Sequence, residues 1–327
     1  MLYFVGCTES TGNWTGNFTR AVTKGLRKRQ VQFRELPSLD WLATDVSVRK
    51  YRQIRSRSGD TWFIGWAQSP LIELIRDKPG AKVGLVVGLT AMPFEPAVLL
   101  ESEAGLREAE RLDLYDILFV NSEWCRDCLC AAYPHLTDRV RVTGFPIDYS
   151  IYDRFRDLPK DPDLVVFNQR FALEKLHIVE IMVAERLVEM GWKVRHLSGI
   201  SAEELASMSR SMRPLLDAAG RVGLEFTYNP TKEEYHQHLA RASVVVTTSI
   251  ADMLPSSLIE AVNLGAVPVA PDSMCFPEFI HPDNLYVPYD VDQIVNFVME
   301  SPVREHPIDR YDSDVVVETF LREMGLQ

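Results

Sequence analysis

Short apolar runs rich in Val, Ile, Leu and Phe alternate along the chain with longer stretches whose apolar positions recur three or four residues apart. The short runs predict strands near 1–6, 31–35, 61–66, 82–88, 117–121 and 139–143 in the first half. Helices are expected between them: Phe18, Val22 and Leu26 stand four apart within 18–29, and Leu99, Leu100, Ala104, Leu106 and Leu112 mark 97–112. The rhythm restarts in the second half, with strands over 164–167, 193–197, 222–227, 243–247 and 267–270. Helices are expected over 173–190, 201–219, 231–241, 256–264 and after 291. Strands alternating with helices predict parallel βαβ units, hence an α/β fold. Residues 144–163 hold three prolines, many charges and no clean period, and read as a connection. The expected architecture is two Rossmann-like domains, 1–150 and 151–327, facing across a cleft, with ligands beyond the carboxyl ends of the strands.

Composition narrows the classes. Of 327 residues, 46% are hydrophobic and 25% charged, with 17 Gly and 19 Pro, which excludes collagen-like and disordered chains. No apolar run approaches the ~18 residues that span a bilayer, so stable membrane insertion is not expected. The opening residues Met1 to Gly6 carry no basic segment, and five cysteines is an odd count. Together these favour free thiols and a cytoplasmic location. Charge is uneven: the net value is −11, yet residues 20–57 hold eleven basic side chains (Arg20, Lys24, Arg27, Lys28, Arg29, Arg34, Arg49, Lys50, Arg52, Arg55, Arg57) against three acidic ones. Such a run is either a solvated surface or the footprint of an anionic partner.

Three loops carry candidate chemistry. The first strand leads into residues 7–17, where the glycines are spaced G-x-x-x-G and not as the G-x-G-x-x-G turn that a dinucleotide needs, which disfavours a nicotinamide-dependent oxidoreductase. Gly16 and Asn17, expected just before a helix, are either a plain turn or a place where backbone amides approach an anion. At the start of the second domain, Arg170 and Lys175 stand five apart between a strand and a helix, where paired cations offset a diphosphate leaving group without a metal. After the strand at 243–247 comes Asp252-Met-Leu-Pro255-Ser256-Ser257-Leu-Ile-Glu260. Pro255 suits the first helical position, leaving the Ser256 and Ser257 amides free for phosphate. Glu260 lies a turn further in, where a carboxylate accepts ribose hydroxyls, and Asp252 can accept sugar hydroxyls.

The Asp252-x7-Glu260 stretch, its continuation Glu260-Ala-Val-Asn-Leu-Gly265-Ala-Val-Pro268-Val, and the Arg170-x4-Lys175 pair resemble the retaining GT-B glycosyltransferases of the family 4 type. Pro277-Glu278-Phe279, Tyr115 to Ser122 and Arg141 to Asp148 are similar to further family segments. The resemblance is clear from about residue 110 to 280 and holds only by layout before that. It implies a nucleotide-sugar donor (a UDP- or GDP-sugar) bound by the C-terminal domain and no essential metal. Glu260 would then lie on the ribose, Asp252 on the transferred sugar, and Arg170 with Lys175 on the diphosphate. Two departures stand out: Asp252 replaces the usual Glu, with Met253-Leu254-Pro255 in place of a glycine-rich segment, and the loop at Leu89 to Pro93 lacks the family's histidine.

Cys125, Cys128, Cys130 and His135 have ligand-like spacing but no second half, and His236 and His238 lie two apart on an expected helix, facing different ways. The basic run and its interleaved aromatics (Trp14, Phe33, Trp41, Tyr51, Trp62, Trp66) raise the hypothesis of a polyanionic acceptor. Nucleic acid stands ahead of an anionic lipid surface, with the sugar placed on a hydroxyl of a modified base, a DNA-modification reading. The alternatives are a lipid, glycan or small-molecule acceptor, and a GT-B-shaped protein that binds without turnover.

Overall fold

The computed structural model describes residues 1–6, 14–36, 45–90, 92, 106–199, 201, 204 and 213–327. The chain forms two compact units, Met1–Asp148 with Asp309–Gln327, and Tyr149–Ile308.

In the first unit, β1 (Leu2–Val5), β2 (Phe33–Leu36), β3 (Thr61–Ile64), β4 (Ala81–Val86), β5 (Ile117–Val120) and β6 (Val140–Val142) form one parallel sheet. Its order is β2-β1-β3-β4-β5-β6. Helices α1 (Trp14–Lys28), α2 (Asp45–Gln53), α3 (Leu71–Ile75), α4 (Glu108–Leu112) and α5 (Glu123–Ala132) connect the strands. β1 and β3 are buried throughout, as expected of strands covered on both faces. Gly6 follows β1 because a Cβ there would sit 2.5 Å from the Thr19 hydroxyl of α1.

The second unit repeats the plan with β7 (Asp161–Phe167), β8 (Lys193–Ser198), β9 (Glu225–Tyr228), β10 (Ala242–Val246), β11 (Val267–Pro271) and β12 (Leu285–Tyr286). Every pairing is parallel, in the order β12-β11-β10-β7-β8-β9. Its helices are α6 (His177–Glu189), α7 (Arg213–Arg221), α8 (Lys232–Arg241), α9 (Ser256–Asn263) and α10 (Val291–Glu300). Each sheet changes direction where two neighbouring strands send their following helices to opposite sides; in the second unit that point lies between β7 and β10. Among the described residues no helix is long and apolar enough to cross a membrane.

The expected second domain, 151–327, is corrected at its far end. Residues 309–327, with α11 (Ser313–Glu323), return to the first unit. Hydrophobic burial explains the return. Phe320 is stacked on Phe119 (5.0 Å between centroids) and set edge-on to Phe63 (5.1 Å), while Val317 packs where Gly25 of α1 leaves room. Around this contact Ile147 pairs with Asp312, the Ser313 amide donates to the Ile147 carbonyl at 2.8 Å, and Lys28 and Arg29 both reach Asp314.

The other expected elements fall into place with shifts of a few residues. α1 starts at Trp14 instead of 18, α2 lies between two strands where a helix is expected, and β12 and α11 were not anticipated. The loop at 7–13, Trp41, most of 97–105 and most of 202–212 lie outside the described residues.

Phe320→Ala is expected to cost about 3–5 kcal/mol, the usual range for removing a buried Phe. Hydrogen exchange should then accelerate in β3, β5 and α1 while β7 and β10 keep their protection; acceleration spread equally over both units would contradict the placement of α11.

Candidate functional site

The parallel strands β7 and β10 end side by side, and the loops that follow them are stitched together by polar contacts. The loop after β7 runs through Asn168, Gln169 and Arg170 to a 3-10 turn, Leu173–Lys175. It then reverses at Leu176, a non-glycine residue held left-handed at φ 46°, before α6 begins. Such a conformation costs on the order of 1–2 kcal/mol and persists only where its surroundings over-determine it.

Lys175 is at the centre of this arrangement. Its side chain is only 8% exposed, and its ammonium donates to Asp252 Oδ2 at 2.7 Å, Ser249 Oγ at 2.9 Å and the Ala251 carbonyl at 3.1 Å. All three acceptors belong to the loop after β10. A buried ammonium is tolerated only when its three protons are satisfied, and here each has a partner. In return, the Ile250 amide donates to the Glu174 carbonyl at 2.9 Å. Lys175 and Asp252, singled out separately in the sequence, are thus in direct contact.

Arg170 behaves differently. Its guanidinium is 67% exposed and ion-paired to the buried Glu174 carboxylate, one helical turn along. The expectation that Arg170 and Lys175 point the same way is not met in this state, because Glu174 draws Arg170 to itself. Glu174 was not singled out from the sequence.

At the start of α9, Pro255 is the N-cap and Ser256 the first helical residue, one position later than expected. The Ser256 amide is not free: it donates to the Leu254 carbonyl at 2.9 Å. The Ser257 amide has no partner among the described residues, and the Ser257 carbonyl accepts from Asn168 Nδ2 at 2.6 Å. One free amide at this helix start therefore replaces the expected two.

Glu260 is buried and turned towards α8, whose start is fixed by a capping box between Thr231 and Glu234. Burial raises its carboxyl above the ordinary range, while the Lys232 ammonium and the adjacent Tyr152 and Tyr235 hydroxyls act in the opposite sense. The Tyr152 hydroxyl, itself buried, ends without a well-formed hydrogen bond. Glu260 is thus enclosed by side chains and does not stand open as a ribose acceptor would.

Gly16 and Asn17 belong to the first unit. They lie inside the first turn of α1, not ahead of it, and the Asn17 side chain accepts from Arg20. The four-residue Cys-His set does not assemble: Cys125 is buried and His135 is bound to Asp113 at 2.7 Å. His236 packs edge-on to Tyr152 at 5.2 Å, and burial pulls its pKa down to about 4; His238 lies 3.2 Å from Arg195 instead.

Sequence reasoning missed a buried cluster below the β7 loop. His177, Glu180 and His196 have ligand-type atoms within 4.8 Å of one another. Both Nδ1 atoms lie 2.6 Å from the Glu180 carboxylate, closer than the ~3.3 Å that two donors keep around a tetrahedral ion bonded at ~2.0 Å, so the cluster is a hydrogen-bonded one. The signal was present: a histidine inside an apolar strand, Val194-Arg-His196-Leu197, and His177 three positions before Glu180 on a helix.

No protein-family model matches the sequence. Among solved structures, the chain is similar to a UDP-forming α,α-trehalose-phosphate synthase from Burkholderia xenovorans (TM-score 0.70, 12% identity, 99% of this chain and 98% of that one). It is also similar to a trehalose-6-phosphate protein from E. coli bound with UDP-2-fluoro glucose (0.72, 12%, 99% and 98%). A third is Anabaena Alr3699/HepE in complex with UDP and glucose (0.70, 12%, 100% and 99%). These likenesses, with the two six-stranded parallel sheets, establish the GT-B fold.

The buried Glu260 gives a pH-dependent expectation. A carboxyl raised in the folded state destabilises the fold once pH passes its folded pKa, and that cost disappears below the ordinary value near 4.5. Glu260→Gln should therefore raise the unfolding midpoint at neutral pH, with the difference from the parent closing as pH falls towards 4. A lowered midpoint at pH 7 would mean that the ionised carboxylate is a net stabiliser.

Proposed function

We propose that this chain is a glycosyltransferase that moves a sugar from a nucleotide-sugar to an acceptor hydroxyl with retention of configuration, the donor being held by the second unit. The observation that carries the reading is the buried Lys175 ammonium, bound to Asp252 and Ser249 at the sheet's switch point between β7 and β10. UDP-2-fluoro glucose bound in one similar structure and UDP in another support a nucleoside diphosphate as the group recognised. A diphosphate there would compete with Asp252 for Lys175, and the Ser257 amide at the start of α9 would supply a second donor. Arg170, exposed and among the described residues paired with Glu174, would exchange that carboxylate for a phosphate oxygen.

The step needs no side-chain nucleophile. The bond from the anomeric carbon to the phosphate oxygen breaks, and the acceptor oxygen bonds to the same face of that carbon. The hydroxyl proton passes to the departing phosphate oxygen. Lys175 and Arg170 offset the charge that develops on the diphosphate, and Asp252, once released, takes up a sugar hydroxyl. Glu260 reaches a ribose only if the side chains around it rearrange.

Lys175→Ala is expected to lower turnover by about 10²–10³-fold, the range for losing one aimed charge stabiliser, with the fold retained by circular dichroism. The assay is release of UDP or GDP from a panel of nucleotide-sugars, with products weighed by mass spectrometry. Unchanged turnover would place the donor elsewhere. Tight nucleotide binding with no sugar transfer from any donor would leave a binding protein without catalysis.

For the acceptor, the structure narrows the basic run. On α1, Lys24 is paired with Asp148, Arg27 with Glu35, Lys28 with Asp314, and Arg29 with Asp314 and Glu318. Tyr51 and Trp62 are buried, so they do not stack on an outside base. Arg49 and Arg52 on α2 and Arg55 just beyond it are exposed and have no acidic partner among the described residues, whereas Arg57 lies beside Asp60, whose carboxylate accepts from its backbone amide at 2.7 Å. These three support an anionic acceptor, with nucleic acid the polymer to test. Binding of single- and double-stranded DNA, followed by fluorescence anisotropy, should weaken steeply with salt, and each Arg→Ala change should flatten the log–log slope by about 0.9 or less. Absence of salt-dependent binding would rule out a nucleic-acid acceptor and leave a neutral glycan, lipid or small molecule.

A further inference from the structure

Glu180 is fully buried in the first turn of α6, yet it is the junction of the polar network beneath the donor loops. One carboxylate oxygen accepts from His196 Nδ1 at 2.6 Å. The other accepts from His177 Nδ1 at 2.6 Å and from Gln169 Nε2 at 3.1 Å. Each partner extends outward. His177 Nε2 accepts the Ala172 amide at 2.9 Å, so the ring carries its proton on Nδ1 and joins Glu180 to the turn that precedes Lys175. The ring also stacks on Phe171, with centroids 3.8 Å apart.

Gln169 extends to both loops. Its Nε2 lies 3.3 Å from the Lys175 carbonyl and 2.9 Å from Thr248 Oγ1, while its Oε1 accepts from the Thr247 hydroxyl at 3.1 Å and the Thr248 amide at 3.2 Å. Thr248 Oγ1 donates to the Lys175 carbonyl at 2.5 Å, and the next residue is Ser249, which holds the Lys175 ammonium. From Glu180 to Lys175 there are two routes, one through His177 and one through Gln169. The first ends on the Ala172 amide, in the turn that precedes Lys175, and the second on the Lys175 carbonyl, next to Leu176, the left-handed residue that nothing in its own side chain favours.

Burial alone would raise the Glu180 carboxyl, but the two histidines beside it outweigh that and hold it well below the ordinary range, so the acceptor at the hub is a carboxylate. An ionised group with three donors aimed at it fixes their directions more strongly than neutral partners would.

We infer that Glu180 is a positioning residue for the donor site: through His177 and Gln169 it sets the loop that aims Lys175, without touching substrate itself. The inference rests on the donor reading given above. Lysine placement matters because an error of about 1 Å in a reacting group costs on the order of 10²-fold in rate.

The test is a double-mutant cycle on the full chain: parent, Glu180→Gln, Lys175→Ala and the pair, with UDP and GDP affinity read by calorimetry and the unfolding midpoint recorded for each. Glu180→Gln keeps the shape but lacks the charge and turns one acceptor into a donor. It should weaken nucleotide binding by about 10-fold or more in the parent and change nothing further once Lys175 is already Ala, the signature of action through that residue. In steady state the loss should fall on the donor KM and kcat, with the acceptor KM unaltered. If Glu180→Gln does not fold, Gln169→Met removes one of the two routes and is read through the same cycle. Equal losses with and without Lys175 would make Glu180 a general structural residue and end the inference while leaving the donor reading intact. A parent chain that binds neither nucleotide overturns both.

Discussion

A lysine ammonium that is almost out of water must be neutralised and hydrogen-bonded, and the way Lys175 meets that requirement organises the second unit. Its charge is met by Asp252, and its remaining protons go to Ser249 and the Ala251 carbonyl. These partners all come from the loop after the neighbouring strand, so the two loop ends cannot drift apart without exposing an unpaired buried cation. The parallel register of β7 with β10 brings the loops within reach, and the left-handed turn at Leu176 lets α6 start immediately after the lysine. A site held by one ion pair is also one that an incoming anion can enter, since a phosphate offers Lys175 what Asp252 now provides.

The first unit uses a related device at the end of β4. Glu108, buried, accepts from the Thr90 amide and hydroxyl, from Gln68 Nε2 at 3.2 Å and from the Tyr133 hydroxyl at 3.0 Å. In both units a buried carboxylate from the helix that follows takes at least one donor from the loop at a strand's carboxyl end, Thr90 for Glu108 and Gln169 for Glu180. Charge-assisted bonds of this kind fix loops where apolar packing cannot, because loop backbones carry polar groups that need partners.

What was legible in the sequence follows from which interactions are local. Among the described residues, eleven of the twelve strands were expected, most clearly those that are buried and read as a continuous apolar run, as in Leu2–Val5 or Val244 to Val246. β12, two residues long, has no such run. Lys175 and Asp252 were each legible as a residue just past a strand, but their direct contact was not, because the sequence alone places one on the diphosphate and the other on the sugar. The return of α11 was not, since Phe320 finds Phe119 and Phe63 across some two hundred residues or more and leaves no periodic mark. The same holds for the hub: Gln169, Glu180 and His196 come from a loop, a helix and a strand, and only His177 and Glu180 share a spacing that a helix would bring together. The differences at Arg170 and Ser256 have local causes, the Glu174 carboxylate and the Leu254 carbonyl, which compete for groups that the pattern alone leaves free.

The central claim is that Lys175 and the start of α9 receive a diphosphate. The most direct measurement is a crystal structure of the chain with a non-hydrolysable nucleotide-sugar. The account predicts phosphate oxygens within hydrogen-bond distance of Lys175 Nζ and the Ser257 amide, with the Lys175–Asp252 contact lengthened or broken. A bound nucleotide that leaves the 2.7 Å pair intact and lies away from the ends of β7 and β10 would contradict it.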